Sequence, residues 1–167
     1  TLYISPLKAL TTDVQRNLLN PINDLEINIK VETRTSDTST YSKAKQIKKP
    51  PNFLMTTPES FALLMARTDV INLFKNLKFV IIDELHTFFD SKRGHLLSLN
   101  VARLRSIKPF QVIGLSATLK NTSLAKKYLS NYKNTKLVST HSKVVPEITI
   151  LNSGNRIPWS GHSPRYA

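Results

Sequence analysis

The chain has 167 residues, 40% hydrophobic and 8% aromatic, which is enough for one domain with a real core and too few for two full α/β domains. The absence of cysteine excludes disulfides, zinc–thiolate sites and thiol nucleophiles. With no long apolar run to span a membrane and no visible signal peptide, a cytoplasmic protein is expected. The 24 Lys+Arg against 11 Asp+Glu leave a net charge of +13, which favours a polyanionic partner such as nucleic acid.

Residues 2–5 form a short apolar run followed by Pro6. Ser5 as N-cap and Pro6 at the first helical position predict a helix to about Leu19, with Leu7, Leu10, Val14 and Leu18 on one face and Asn20-Pro21 as its stop. Ile27, Ile29 and Val31 alternate with polar residues and predict a second strand, followed by a polar loop over 33–40. A short basic helix is expected over 43–49 and a third strand over 53–55. Thr57 caps the next helix, with Pro58 first and Glu59 favouring the positive end of its dipole. A short helix over 70–75 leads to Phe79, Val80, Ile81 and Ile82, a buried-type strand. Helices over 96–107 and 123–130 flank a strand over 111–115, and further strands are expected over 136–139 and 147–151. Strands alternating with helices predict an α/β fold, a parallel sheet with helices on both faces. Residues 152–167 lose regular periodicity and read as a linker leading into a missing neighbour, so the expected organisation is a partial domain over 1–151 and a linker with the start of a second domain over 152–167. The opening at Thr1, without Met, and the stop at Ala167 both read as cuts in something larger.

Several strands finish in polar groups, and in a parallel sheet all such ends lie on one edge, where open α/β sheets bind ligands. The most informative is Asp83-Glu84-Leu85-His86, directly after the 79–82 strand. A phosphate-handling site needs such a pair, one carboxylate for a magnesium ion and one to orient or deprotonate water. A solvated strand end with a helix cap would read the same way on these residues alone.

In order, LYISPLKAL, TTPESF, VIIDELH and GLSAT resemble motifs Ia, Ic, II and III of superfamily 2 DEXH-box helicases. VETRTSDTS, SKRGHLLSLNVARLRSI and the tail NRIPWSGHSPRYA narrow the likeness to the Lhr group, the tail being most like its ligase-associated branch. The resemblance implies a RecA-like fold using ATP and Mg²⁺ on DNA. It implies that Asp83 holds magnesium through water, that Glu84 positions the attacking water, and that His86 relays the nucleotide state to the coupling segment Ser116, Ala117 and Thr118. It places Ser5, Pro6, Lys8, Thr57, Pro58 and Glu59 on the nucleic-acid edge, with Arg34 and Thr38 contacting the strand from their loop. Ser36 stands where the family has glycine, so strain is expected there if the position needs φ > 0. Lys92 and Arg93 resemble the basic turn after motif II.

The four glycines, at 94, 114, 154 and 161, build no G-x-x-x-x-G-K-[ST] loop. By resemblance that loop lies upstream, and its strand, normally central, is missing from the sheet. The chain alone is therefore expected to bind nucleotide weakly, to hydrolyse no ATP, and to be poorly soluble or dependent on a complementing helicase fragment. DNA ligase or nuclease partners in repair follow from the family branch only. The alternatives are a nucleic-acid-binding module without motor activity and a decayed gene remnant.

Overall fold

Phe79–Ile82 is the strand β4 of a five-stranded sheet in the computed structural model, which describes residues 1–130 and 135–139. The other strands are β1 (Leu2–Ile4), β2 (Val31–Arg34), β3 (Phe53–Thr56) and β5 (Gln111–Gly114). Their order is β2-β3-β1-β4-β5 and every pairing is parallel, with Tyr3 opposite both Met55 and Ile81. All five C-terminal ends therefore meet on one edge. The sheet is continuous, so the expected missing strand leaves no gap inside it; among the described residues β2 and β5 are its outer strands.

Among the described residues five α-helices connect the strands, α1 (Lys8–Asp24), α2 (Thr40–Lys48), α3 (Pro58–Met65), α4 (Val70–Phe74) and α5 (Lys92–Ile107), and a sixth, α6 (Thr122–Leu129), follows β5, with a 3-10 turn at Leu85–Phe88. Alternation along β1 sends Leu2 and Ile4 to one face and Tyr3 to the other. Leu2, Ile4, Val80 and Ile82 join Phe61, Phe88, Leu97 and Leu104 in the main core. On the opposite face Tyr3, Val31 and Met55 form a smaller cluster under Val14, Leu19 and Ile22 of α1. Helices thus cover both faces. None of those described is long and apolar enough to cross a membrane.

Several expectations need correction. The first helix has Leu7, not Ser5, as its N-cap and runs through Pro21 to Asp24. Pro21 forgoes one i→i−4 bond, and the helix continues past it to Asp24 with Ile22 packed onto the smaller cluster. The second strand starts at Val31, because only 31–34 face partners in β3; Ile27 and Ile29 stay 44% and 40% exposed. Arg34 therefore ends a strand instead of standing in a loop. Ser91 accepts a bond from the Gly94 amide and starts α5 four residues early, so the basic turn is a helix start. Ser36 is not among the residues with positive φ, so its strain is absent. Residues 136–139 form no strand, and 147–151 lie outside the described residues, as does the 152–167 tail. By internal contacts the chain divides into Thr1–Lys136, which holds every element above, and Leu137–Ala167.

Candidate nucleotide and nucleic-acid site

The end of β4 is held in place from three sides. The Asp83 amide donates to Ile4 O, extending the β1–β4 ladder by one bond. Asp83 Oδ1 accepts from the Glu84 amide at 2.9 Å, and Oδ2 accepts from the Tyr3 hydroxyl at 2.7 Å. Each oxygen keeps a lone pair for a further partner. Burial first, then the bond to Asp83, raises the Tyr3 hydroxyl well above its ordinary value, so Tyr3 remains a donor. Glu84 adopts φ 47°, ψ 46°. A left-handed backbone at a residue with a long side chain costs roughly 1–2 kcal/mol and is characteristic of functional turns. It ends the strand abruptly and starts the 3-10 turn that carries His86.

His86 Nδ1 lies 2.8 Å from Ser116 Oγ and 3.3 Å from Glu84 Oε2. Ser116 Oγ donates its single hydrogen to Thr118 O at 3.1 Å. Nδ1 must then carry the proton shared with Ser116 and Glu84. The structure thus joins β4 and β5 through Glu84, His86 and Ser116. The Thr118 hydroxyl makes no bond to this group; only its carbonyl takes part. Ala117 is exposed on the same segment. Asn121 caps α6.

A groove of about 440 Å³ runs along the ends of β1, β2 and β3, lined by Lys8, Arg34, Lys43, Arg67, Thr57 and Glu59 among others. Of the residues expected on this edge, Ser5, Pro6, Arg34, Thr57 and Pro58 are buried. Their side chains build the wall more than they reach outward. Arg34, 6% exposed, donates to Lys43 O and Gln46 Oε1, fixing α2 to β2. Burial, and next the nearby Arg67, lower its guanidinium below the ordinary value. An anion in the groove would relieve both effects. Thr57 Oγ1 accepts from the Ser60 amide as the cap of α3. Ser5 Oγ is buried without a partner. Thr38 Oγ1 accepts from the Thr35 amide and donates to Thr33 O, holding the turn after β2.

Lys8 and Glu59 are exposed but already engaged. Lys8 Nζ lies 3.0 and 3.2 Å from the Asp37 oxygens. Glu59 receives a fork from Arg93, at 2.5 and 3.0 Å, and Arg93 also donates to Pro6 O. That bond holds the Glu59 carboxyl below the ordinary range. Arg93 thereby ties the turn after β1 and the start of α3 to the helix that follows the acidic pair.

Sequence reasoning missed Tyr3, Asp37, Lys43 and Arg67. Tyr3 carried no sequence signal; its place beside Ile81, two residues before Asp83, comes from the pairing of β1 with β4. The two basic residues were obscured by a chain rich in lysine and arginine throughout.

A parallel sheet with an Asp-Glu-x-His turn at one strand end, bonded to a Ser-Ala-Thr segment at the next, defines a RecA-like helicase core domain. The chain belongs to the DEAD/DEAH box helicase family, whose family model matches residues 1–126. It is 45% identical over 127 residues to the ATP-dependent helicase Lhr-Core of Saccharolobus solfataricus, covering 71% of this chain and 14% of that protein. It is 40% identical over 162 residues to the Lhr-Core helicase of Methanocaldococcus jannaschii, covering 90% of this chain and 19% of the relative. Among solved structures, Mycobacterium smegmatis helicase Lhr bound to ssDNA and AMP-PNP matches with TM-score 0.65 and 38% identity, over 71% of this chain and 17% of that one. The DUF1998 helicase MrfA bound to DNA matches with TM-score 0.67 and 32% identity, over 77% and 19%. The chain thus spans less than a fifth of the length of these proteins.

Proposed function

We propose that this domain is the DNA-gripping and water-positioning part of an ATP-driven DNA helicase, and that its 167 residues alone turn over no ATP. The observation that carries this reading is the Glu84–His86–Ser116 connection beside an Asp83 fixed at both oxygens. Its relatives' names, and neighbours solved with ssDNA and AMP-PNP, support it.

No group of three or more acidic, histidine or cysteine ligands occurs among the described residues. Asp83 fits as the carboxylate that would hold a magnesium ion through water, the ion's own ligands being water and nucleotide phosphates. Bound magnesium nucleotide supplies the electrophilic phosphorus and neutralises charge on the phosphates. Tyr3 and the Glu84 amide orient Asp83 so that it need not reorganise when the ion binds. Glu84, about one-third exposed and held by His86, aligns a water. A shift of Glu84 moves His86, and His86 pulls on Ser116, so events at β4 reach β5 and the segment after it.

The groove takes the phosphate backbone, with Lys43 supplying charge and Lys8 and Arg67 adding theirs by exchanging Asp37 and Asp69 for phosphate. Arg34 and Thr38 shape its floor and the turn above it. The sequence has no G-x-x-x-x-G-K-[ST] loop to cradle phosphates, which motivates the proposed inactivity in isolation and the need for a complementing polypeptide. A role in DNA repair or processing is part of the proposal and rests on the family resemblance alone.

The test exchanges the matching segment of the Saccharolobus Lhr-Core helicase for this chain. The chimera should show DNA-stimulated ATP hydrolysis, lost in Glu84→Gln with DNA binding retained. A folded chimera without turnover, or equal turnover after Glu84→Gln, refutes the assignment. DNA-stimulated turnover by the 167 residues alone, abolished by the same substitution, refutes the proposed inactivity.

A further inference from the structure

A second cleft, of about 520 Å³, opens between α1, β2 and α2. It shares Lys8 and Thr35 with the basic groove, so the two form one continuous trench bridged by the Lys8–Asp37 pair. Its volume suits a ligand of nucleoside size. Hydroxyls of Thr12, Ser39 and Ser42 line it, and its two carboxylates are already paired, Glu32 with Lys30 at 2.6 Å and Asp37 with Lys8. Lys45 has no ion-pair partner among the described residues, so the net charge left for a ligand is positive.

The cleft's one aromatic is Tyr41, in the first turn of α2, 77% exposed. At that exposure the ring lies outside both core clusters, and among the described residues no aromatic pair or side-chain hydrogen bond includes it. A flat apolar surface held in water beside a phosphate-binding groove is what an unstacked base seeks, and every base offers a face to it. We infer that Tyr41 is a stacking platform for a base of single-stranded DNA whose backbone lies in the adjacent groove past Lys8. This rests on the nucleic-acid reading of the groove and adds a base contact to it. Because stacking is tolerant of sequence, the site grips without selecting.

The experiment is a fluorescence-anisotropy titration of the full chain at low salt with a labelled oligothymidylate and with the same strand carrying abasic sites. Tyr41→Ala should weaken binding to the intact strand about tenfold, Tyr41→Phe should leave it unchanged, and neither should alter binding to the abasic strand. The salt slope should stay the same in both variants, because no phosphate contact is lost. Unchanged affinity of Tyr41→Ala for the intact strand, or an equal loss on the abasic strand, overturns the stacking site while leaving the groove assignment standing. Lys43→Glu tests the groove separately and should weaken both strands alike. Absence of binding by the unaltered chain overturns both.

Discussion

Replacing Gly94 by alanine adds one methyl group at the third position of α5, where in a free helix it would be favourable by up to about 1 kcal/mol. In this fold the added Cβ would stand 1.7 Å from Phe88 O, 2.6 Å from its carbonyl carbon and 3.1 Å from its Cα. These are backbone atoms with no rotamer to change. Phe88 is fully buried in the main core, and its carbonyl accepts from Ser91 Oγ, the same hydroxyl that caps α5. Relief requires α5 or the 3-10 turn to retreat by more than an ångström. Overpacking of side chains costs about 1–3 kcal/mol, and a backbone collision exceeds that range. The clash outweighs the helix propensity, for a net loss of about 3–5 kcal/mol, a large part of a small domain's stability. Gly114→Ala is the matched control. Its Cβ would meet the ends of Leu85 and Leu129 side chains at 2.7 and 2.9 Å, which can turn away, so about 1 kcal/mol is expected. Urea unfolding followed by far-UV circular dichroism measures both: Gly94→Ala should lower the midpoint far more than Gly114→Ala at unchanged slope. A Gly94→Ala protein as stable as the parent, or less affected than Gly114→Ala, refutes this account of the turn.

Asp37→Asn should free Lys8 for phosphate, raising single-stranded DNA affinity and steepening its salt dependence; weaker binding in an anisotropy titration would count against Lys8 as a phosphate contact. Arg93→Lys loses the fork that joins Glu59 to Pro6 and should cost about 1 kcal/mol, given the exposure of the pair. In that variant the Glu59 carboxyl should return towards its ordinary value, read by NMR titration. In the parent its depressed value contributes stability above about pH 4.3 that is lost as pH falls further. At the alkaline end Tyr128, pushed up to about 12 by burial, and Tyr3, also raised, keep their protons in the fold after the unfolded chain has released them. Stability should therefore be full below about pH 10 and fall as pH rises towards 12, and Tyr128→Phe should flatten that fall in urea midpoints.

The expectations that held concern short-range patterns. Phe79–Ile82 is four consecutive apolar residues before two carboxylates, and it is a strand ending at the site, with Val80 and Ile82 buried and Phe79 left exposed. Thr57-Pro58-Glu59 is a helix start by cap, ring and charge, and it starts α3. The misplaced elements are those whose limits depend on a distant partner. Ile27 and Ile29 alternate as well as any strand, yet nothing pairs with them beyond the start of β3. Pro21 is a helix breaker by its ring, yet Ile22 has a cluster to pack against and the helix continues.

The same division runs through the site. Asp83, Glu84, His86 and Ser116 could be named from their order along the chain, because a parallel sheet sends successive strand ends to one edge. Which of them touch could not, since thirty residues separate His86 from Ser116 and only the pairing of β4 with β5 brings them to 2.8 Å. The sequence by itself determined the fold class, the acidic pair and the basic balance. The tertiary structure decided how each charge is engaged: Lys8 facing Asp37, Glu59 held by Arg93, Arg34 turned inward, Asp83 fixed by Tyr3. Charges act over a few ångströms, and residues 9 to 80 positions apart are brought within that range only by the sheet and the helices packed on it.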